Sequence, residues 1–227
     1  MSGRPRLVPY AGSAPPRDQI LDAAAKLFVE RGFAATSTRE IADAVGIRQA
    51  SLYYHFAGKD DILAELLDRS VRPTVDKIAK IEAMVPPETY ETALYLLALV
   101  DVTTLATAPR NIGLLSRLPD VTDSPVFAEF RNDRCELAEA YGRIGTRIAR
   151  APVIDLLGSK KLGEILVQVV DSTINLRSNG DRIDLHDADG LATTCLRICG
   201  TSDKQILAAS AAAAPLFETL HAEPGFP

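Results

Sequence analysis

Residues 36–59 read T-S-T-R-E-I-A-D-A-V-G-I-R-Q-A-S-L-Y-Y-H-F-A-G-K. Ser37 followed three residues later by Glu40 is a capping box, which predicts a helix beginning at Thr38. Ile41, Ala42 and Val45 place one apolar stripe on that short helix, and Gly46 is suited to end it with a positive φ. Ile47 is then expected in the core. A second helix follows through Ala50, Leu52 and Phe56, with Leu52 and Phe56 four residues apart and facing inward. Gln49, Ser51, Tyr53, Tyr54 and His55 are left on outer faces. Hydroxyls and imidazole hydrogen-bond phosphate oxygens, and a Gln amide matches an adenine edge, so this face suits DNA. Two short helices around a Gly turn are the layout of a helix-turn-helix. The same residues also allow a helical hairpin within an all-α core, with the tyrosines half buried.

The flanks favour the first reading. Ile20, Ala24, Leu27 and Phe28 give Asp18 to Arg31 an amphipathic helix, with Pro15 and Pro16 where proline is tolerated at a helix start and Gly32 at its close. Gly58 can cap a further helix whose first turn holds Asp60 and Asp61, where acidic groups suit the dipole. Lys59 beside that cluster of backbone N–H groups makes a place for a phosphate.

From Arg17 to Leu63 the chain, R-D-Q-I-L-D-A-A-A-K-L-F-V-E-R-G-F-A-A-T-S-T-R-E-I-A-D-A-V-G-I-R-Q-A-S-L-Y-Y-H-F-A-G-K-D-D-I-L, closely resembles the DNA-binding domain of the tetracycline-repressor (TetR) family. The resemblance implies an all-α homodimeric transcription regulator, in most members a repressor that a small ligand releases from its operator. It implies that Arg39, Gln49 and Ala50 read bases. Thr38, Ser51, Tyr53, His55 and Lys59 match positions that hold phosphates, and Tyr54 an aromatic that packs on bases or sugar. Arg48 departs from the Ser or Thr common at the start of the recognition helix and places another cation near the groove. Gly58 departs from a common Ser.

Composition is that of an ordinary globular protein, 47% hydrophobic and 24% charged over 227 residues. The net charge of −5 conceals an asymmetry: residues 1–60 hold 8 Lys/Arg against 6 Asp/Glu, and residues 61–227 hold 17 against 24. The basic balance lies with the motif, as an electrostatic footprint on DNA requires. No stretch approaches the ~18 apolar residues of a membrane span, and Arg4 and Arg6 precede no signal-peptide core. Residues 1–14, rich in Pro, Gly and Ser, are expected to be a disordered arm. Cys135, Cys195 and Cys199 have neither disulfide nor zinc spacing, so no metal is expected and a reduced, cytoplasmic setting is. Cys195 and Cys199 read as small core residues.

The rest of the chain reads as helices punctuated by prolines, with no strand pattern. Pro73 interrupts the helix that leaves the motif. Val75 to Met84 is a short piece before Pro86-Pro87, and Glu88 to Ala106 is apolar nearly all round, hence buried. Pro109 ends it; Ile112 to Leu118 is a connector, and a helix from Pro125 runs to about Arg150. Leu162 to Arg177 follows, then helices capped by Asp187 and by Asp203. Three regions are expected: the arm, a helix-turn-helix domain over 15–62, and a helical ligand-binding and dimerisation bundle over 63–227. The bundle is implied by the resemblance, with Leu162–Arg177 and Asp203–Leu220 as candidate dimer helices.

Candidate ligand-binding residues are polar groups on apolar helices and the aromatics near them: Asp101, Thr103, Thr104, Phe127, Phe130, Arg134, Tyr141, Gln168, Asp171 and Asn175. A buried charge is costly unless paired, so Asp101 and Arg134 are expected to pair with each other or to meet a ligand. The function expected is a repressor, with a palindromic operator and a small, largely apolar effector as partners; no cofactor and no membrane enter. The rival classes are an adaptor or an enzyme that keeps the motif as structure. No G-x-S-x-G, HExxH or P-loop supports the enzyme.

Overall fold

Every regular element among the described residues, 15–222 of a computed structural model, is helical, as the sequence predicts. In chain order these are α1 (Pro16–Arg31), α2 (Thr38–Val45), α3 (Gln49–His55), α4 (Lys59–Val75), α5 (Ile78–Met84) and α6 (Tyr90–Thr107). There follow α7 (Pro119–Thr122), α8 (Phe127–Ile148), α9 (Ala151–Ser178), α10 (Leu185–Ile198) and α11 (Asp203–His221). Two 3₁₀ stretches, Pro87–Thr89 and Pro109–Arg117, flank α6. The arm expected over residues 1–14 lies outside the described residues. The chain divides into two compact units: Met1–Asp68 with Ile112–Phe130, and Arg69–Asn111 with Arg131–Pro227.

In the first unit, α1 starts on Pro15 and Pro16 and buries Ile20, Leu21, Ala24, Leu27 and Phe28. The capping box forms as read: the Glu40 N–H donates to Ser37 Oγ at 3.2 Å and the Ser37 N–H to the Glu40 carboxylate at 2.9 Å. Those hydrogen bonds hold the exposed Glu40 carboxyl below its usual pKa. Gly46 sits at φ 80°, ψ 24°, and the Ile47 N–H reaches back to the Ala42 carbonyl at 3.0 Å, closing a Schellman turn. That bond holds Ile47 at the rim of the turn, half-exposed rather than in the core; Leu52 and Phe56 alone carry the inward face of α3. The stretch Ile112 to Leu118, read as a connector, is packed structure of this unit, which takes in Ile112–Phe130. Ile112, Leu115 and Val121 are fully buried, and the Asp120 carboxylate accepts the Ala34 N–H at 2.6 Å. Helix α4 runs two residues past Pro73 before ending.

In the second unit, α6 buries nearly every side chain from Tyr90 to Leu105 and packs against α9, α10 and α11. Tyr95 donates to Asp189 of α10, which also accepts from Ser210 of α11 at 3.3 Å. Helices α8 and α9 cross so closely that a Cβ on Gly163 would lie 2.0 Å from the Ala138 carbonyl oxygen, so only glycine fits there. Helix α9 starts before the stretch expected and bends at Gly158, φ 65°. The N-caps are Asp184 for α10 and Ser202 for α11, not Asp187 and Asp203. Each true cap is partnered by a residue at the third helical position, Asp187 and Gln205, completing a box that a single acidic residue does not reveal. After α6, Arg110 and Asn111 take positive φ of 54° and 51° in succession. The Asn111 amide holds this turn by donating to the Ile174 carbonyl at 2.9 Å and Ser178 Oγ at 3.1 Å. Arg177 binds the carbonyls of Leu105 and Ala108 at the end of α6.

Candidate functional site

The capped α2 and the short α3 bring most of the residues expected at DNA onto one polar surface. Thr38 opens α2 and Gln49 opens α3, and their side chains meet: Gln49 Nε2 donates to Thr38 Oγ1 at 3.0 Å and lies 3.5 Å from the Tyr53 hydroxyl. Thr38 Oγ1 and Tyr53 Oη are 3.2 Å apart, closing a three-member polar tie between the two helices. Tyr54 is 86% exposed, an unusual state for a large aromatic ring, with the His55 ring edge-on at 5.3 Å. Ser51, Ala50 and Arg48 are exposed, and Arg39 forms a 4.0 Å surface pair with Asp43. Exposed pairs of this kind are worth little and break readily in favour of a phosphate or base.

Lys59 stands apart. Its ammonium donates to the carbonyls of Phe33 (2.9 Å), Thr36 (3.1 Å) and Ala34 (3.4 Å) and lies 4.4 Å from the centre of the Phe33 ring. In this state the side chain closes the α1–α2 turn instead of pointing to solvent. Lys59 is also the first residue of the 17-residue α4, so its backbone N–H lies at that helix's N-terminus. Arg17, which sequence reasoning does not single out, donates to the His55 carbonyl at 2.8 Å, pairs with Glu65 and stacks 4.2 Å from the Phe56 ring centre. It fixes the end of α3; its only sequence signal is a cation beside the prolines that open α1.

The expected ligand residues divide into several groups. Asp101 is fully buried and accepts from Tyr141 Oη at 3.0 Å and Thr74 Oγ1 at 3.3 Å; Thr74 also meets Thr104 Oγ1 at 3.1 Å. Burial pushes the Asp101 carboxyl up to about 7, against the opposing pull of Arg134, with Asp171 adding to the rise and the Tyr141 and Thr74 hydrogen bonds opposing it. Arg134, on α8, is paired with Asp171 on α9 rather than hydrogen-bonded to Asp101, whose partners are the Tyr141 and Thr74 hydroxyls. Thr103 turns back onto its own helix at the Leu99 carbonyl, 2.7 Å away. Phe127 and Phe130, rings 5.3 Å apart, belong to the first unit. Gln168 and Asn175 are exposed on α9. Cys195 and Cys199 are buried, and burial raises both thiols, Cys199 to about 12. Among the described residues no cluster of His, Cys, Asp and Glu could hold a metal ion, and no single helix is long and apolar enough to cross a membrane.

A capped helix, a left-handed glycine turn and a short helix with exposed aromatics, within an all-helical chain, define a helix-turn-helix protein. Residues 20–66 match the family described as bacterial regulatory proteins, tetR family. The crystal structure of Mycobacterium smegmatis AmtR superposes with a TM-score of 0.77 at 33% identity, over 92% of this chain and 98% of that one. The chain belongs to the tetR family of bacterial regulatory proteins. PfmR of Thermus thermophilus, a TetR family transcriptional regulator, shares the fold at a TM-score of 0.65 and 23% identity, over 81% of this chain and 97% of that one. The HTH-type transcriptional repressor KstR2 of Rhodococcus jostii is 49% identical over 57 residues, 25% of this chain and 28% of KstR2. The chain therefore covers little more than a quarter of the length of such curated relatives.

Proposed function

We propose that the protein is a cytoplasmic, homodimeric transcriptional repressor that binds a palindromic operator through α2 and α3 and leaves it when a small, largely apolar ligand binds the second unit. The observation that carries this reading is the Thr38–Gln49–Tyr53 tie beneath an exposed Tyr54. A polar network on a surface gains little stability, whereas it pre-orients Gln49 toward base edges and Thr38 and Tyr53 toward phosphates, with Arg39 beside it for bases and Ser51 and His55 for phosphates. Arg48 and the α4 N-terminus, with Lys59, complete the phosphate track, and Ala50 and Tyr54 supply apolar contact. Dimerisation follows because one α3 reads too few bases; two copies reach half-sites about 34–36 Å apart. The exposed small-residue face of α11 (Ala208, Ala211, Ala212) and the outer face of α9 are the proposed interface. The hydroxyl and carboxyl cluster around Asp101, set in apolar α6, supplies the few polar groups a small-molecule site needs. Helix α4 carries residues of both units and is the proposed lever; by linkage the operator weakens the ligand by the same factor.

The test is anisotropy of labelled operator and scrambled duplexes over a salt series. Specific binding that weakens steeply with salt is expected. Gln49→Ala should lose about 1–3 kcal/mol of discrimination with little change on scrambled DNA. Unchanged relative preferences in that variant would remove Gln49 from base reading. A monomer mass by light scattering at micromolar concentration would remove the dimer.

A further inference from the structure

At the far end of α6, the turn through Arg110 and Asn111 meets the end of α9 and the stretch of chain before α10. Arg110, Asn111, Arg177, Asp181 and Arg182 line a cleft there of about 470 Å³. Its lining brings three arginines together with the carboxylate of Asp181. Arg177 is half-buried, and its hydrogen bonds go to the carbonyls of Leu105 and Ala108 rather than to a carboxylate; burial alone lowers its pKa. A desolvated guanidinium has five N–H donors, so carbonyl capping leaves some of them for an anion. Asn111 is nine-tenths buried. Its amide nitrogen is committed to Ile174 and Ser178, which fixes its orientation, and its Oδ1 is a buried acceptor without a donor among the described residues. Such an acceptor in a polar cleft calls for a donor from outside the chain. The backbone holding it is in the left-handed region at both Arg110 and Asn111, and backbone strain of this kind clusters at ligand sites.

We propose that this cleft binds a small hydroxylated phosphomonoester, a sugar phosphate or nucleotide, with its phosphate on Arg110, Arg177 and Arg182 and a hydroxyl donating to Asn111 Oδ1. Guanidinium forks match phosphate oxygens two by two. A phosphomonoester carries about −1.5 to −2 charges at pH 7 and three strong acceptor oxygens, which suits it to guanidinium donors. The volume exceeds that of a bare oxyanion and falls in the range of small-metabolite sites, about 300–1,000 Å³. The site lies apart from the buried Asp101 cluster and stands or falls independently of DNA binding.

Calorimetric titration of the full chain with ribose 5-phosphate and adenosine 5′-monophosphate tests it, with ribose and sulfate as controls. At least one phosphomonoester should bind saturably, one per chain. Ribose should not bind, and sulfate, which has the charge but no donor, should bind at least tenfold more weakly. Arg182→Ala and Arg110→Gly should each weaken the phosphomonoester at least tenfold, with Arg182→Ala keeping the wild-type melting temperature. Both side chains are exposed, and glycine suits the φ of 54° at position 110. Binding by neither phosphomonoester, or binding undiminished in both variants, overturns the site. Sulfate binding as tightly as the phosphomonoester overturns the role of Asn111.

Discussion

The two units handle their polar side chains in opposite ways. Around α2 and α3, Thr38, Gln49 and Tyr53 bond to one another at the surface, where water competes for every contact. Around α6, Asp101, Thr74, Thr104 and Tyr141 form a network of similar size sealed from water. The first arrangement costs little to build and little to break, so its residues are available to an external partner. The second is costly to leave half satisfied, so its residues are bound to one another unless something of matching chemistry replaces the bonds.

The same chemical deletion made in both places measures that contrast. Tyr141→Phe removes the donor to a buried carboxylate and should lower stability by about 1–3 kcal/mol, read by urea denaturation. The contrast also predicts a pH dependence from the buried carboxyl of the second unit, opposite in sign to that of a carboxylate held low by exposed hydrogen bonds such as Glu40. Asp101 ordinarily ionises near ~3.9, and here its pKa is raised to about 7. Between those values the folded chain holds a proton that the unfolded chain has released. The contribution of Asp101 to stability is therefore greatest in acid and falls as pH rises from about 4 through 7, by up to ~1.4 kcal/mol per pH unit. Asp101→Asn should flatten that slope; an unchanged slope would show that the carboxyl is not the group responsible. In the first unit, Ser37→Ala removes the capping bond of α2 and should cost about 1 kcal/mol, with α2 amides exchanging faster. Smallest of all, Tyr53→Phe should change stability by less than about 0.5 kcal/mol, because its hydroxyl is exposed. A Tyr53→Phe cost equal to that of Tyr141→Phe would erase the distinction between the units.

The same contrast explains what sequence can say. Ser37 with Glu40, Gly46, and Leu52 with Phe56 are decided within a few residues of themselves, so the capped helix, its left-handed end and the inward face of α3 are legible. Ile47 departs from expectation because its turn, not its hydrophobicity, sets its exposure. Helix α6 is apolar on all sides, so periodicity gives no direction. Nothing local says that Asp101 turns to Tyr141, 40 residues away, while Arg134 turns to Asp171, 37 away. The Lys59 ammonium reaches carbonyls 23 to 26 residues upstream, a choice made by the tertiary fold. The arginines of the α6–α9 cleft are scattered over more than 70 positions and make no motif.

The bond from the Ala34 N–H to Asp120 has a practical consequence for transplantation. The unit that carries the helix-turn-helix is assembled from two separate stretches of chain, and the second supplies the acceptor that closes the turn after α1. A hybrid regulator that borrows only the amino-terminal stretch would inherit the reading surface with that amide open and the pocket for Ile112, Leu115 and Val121 unfilled. Both stretches have to travel together for the graft to keep its shape.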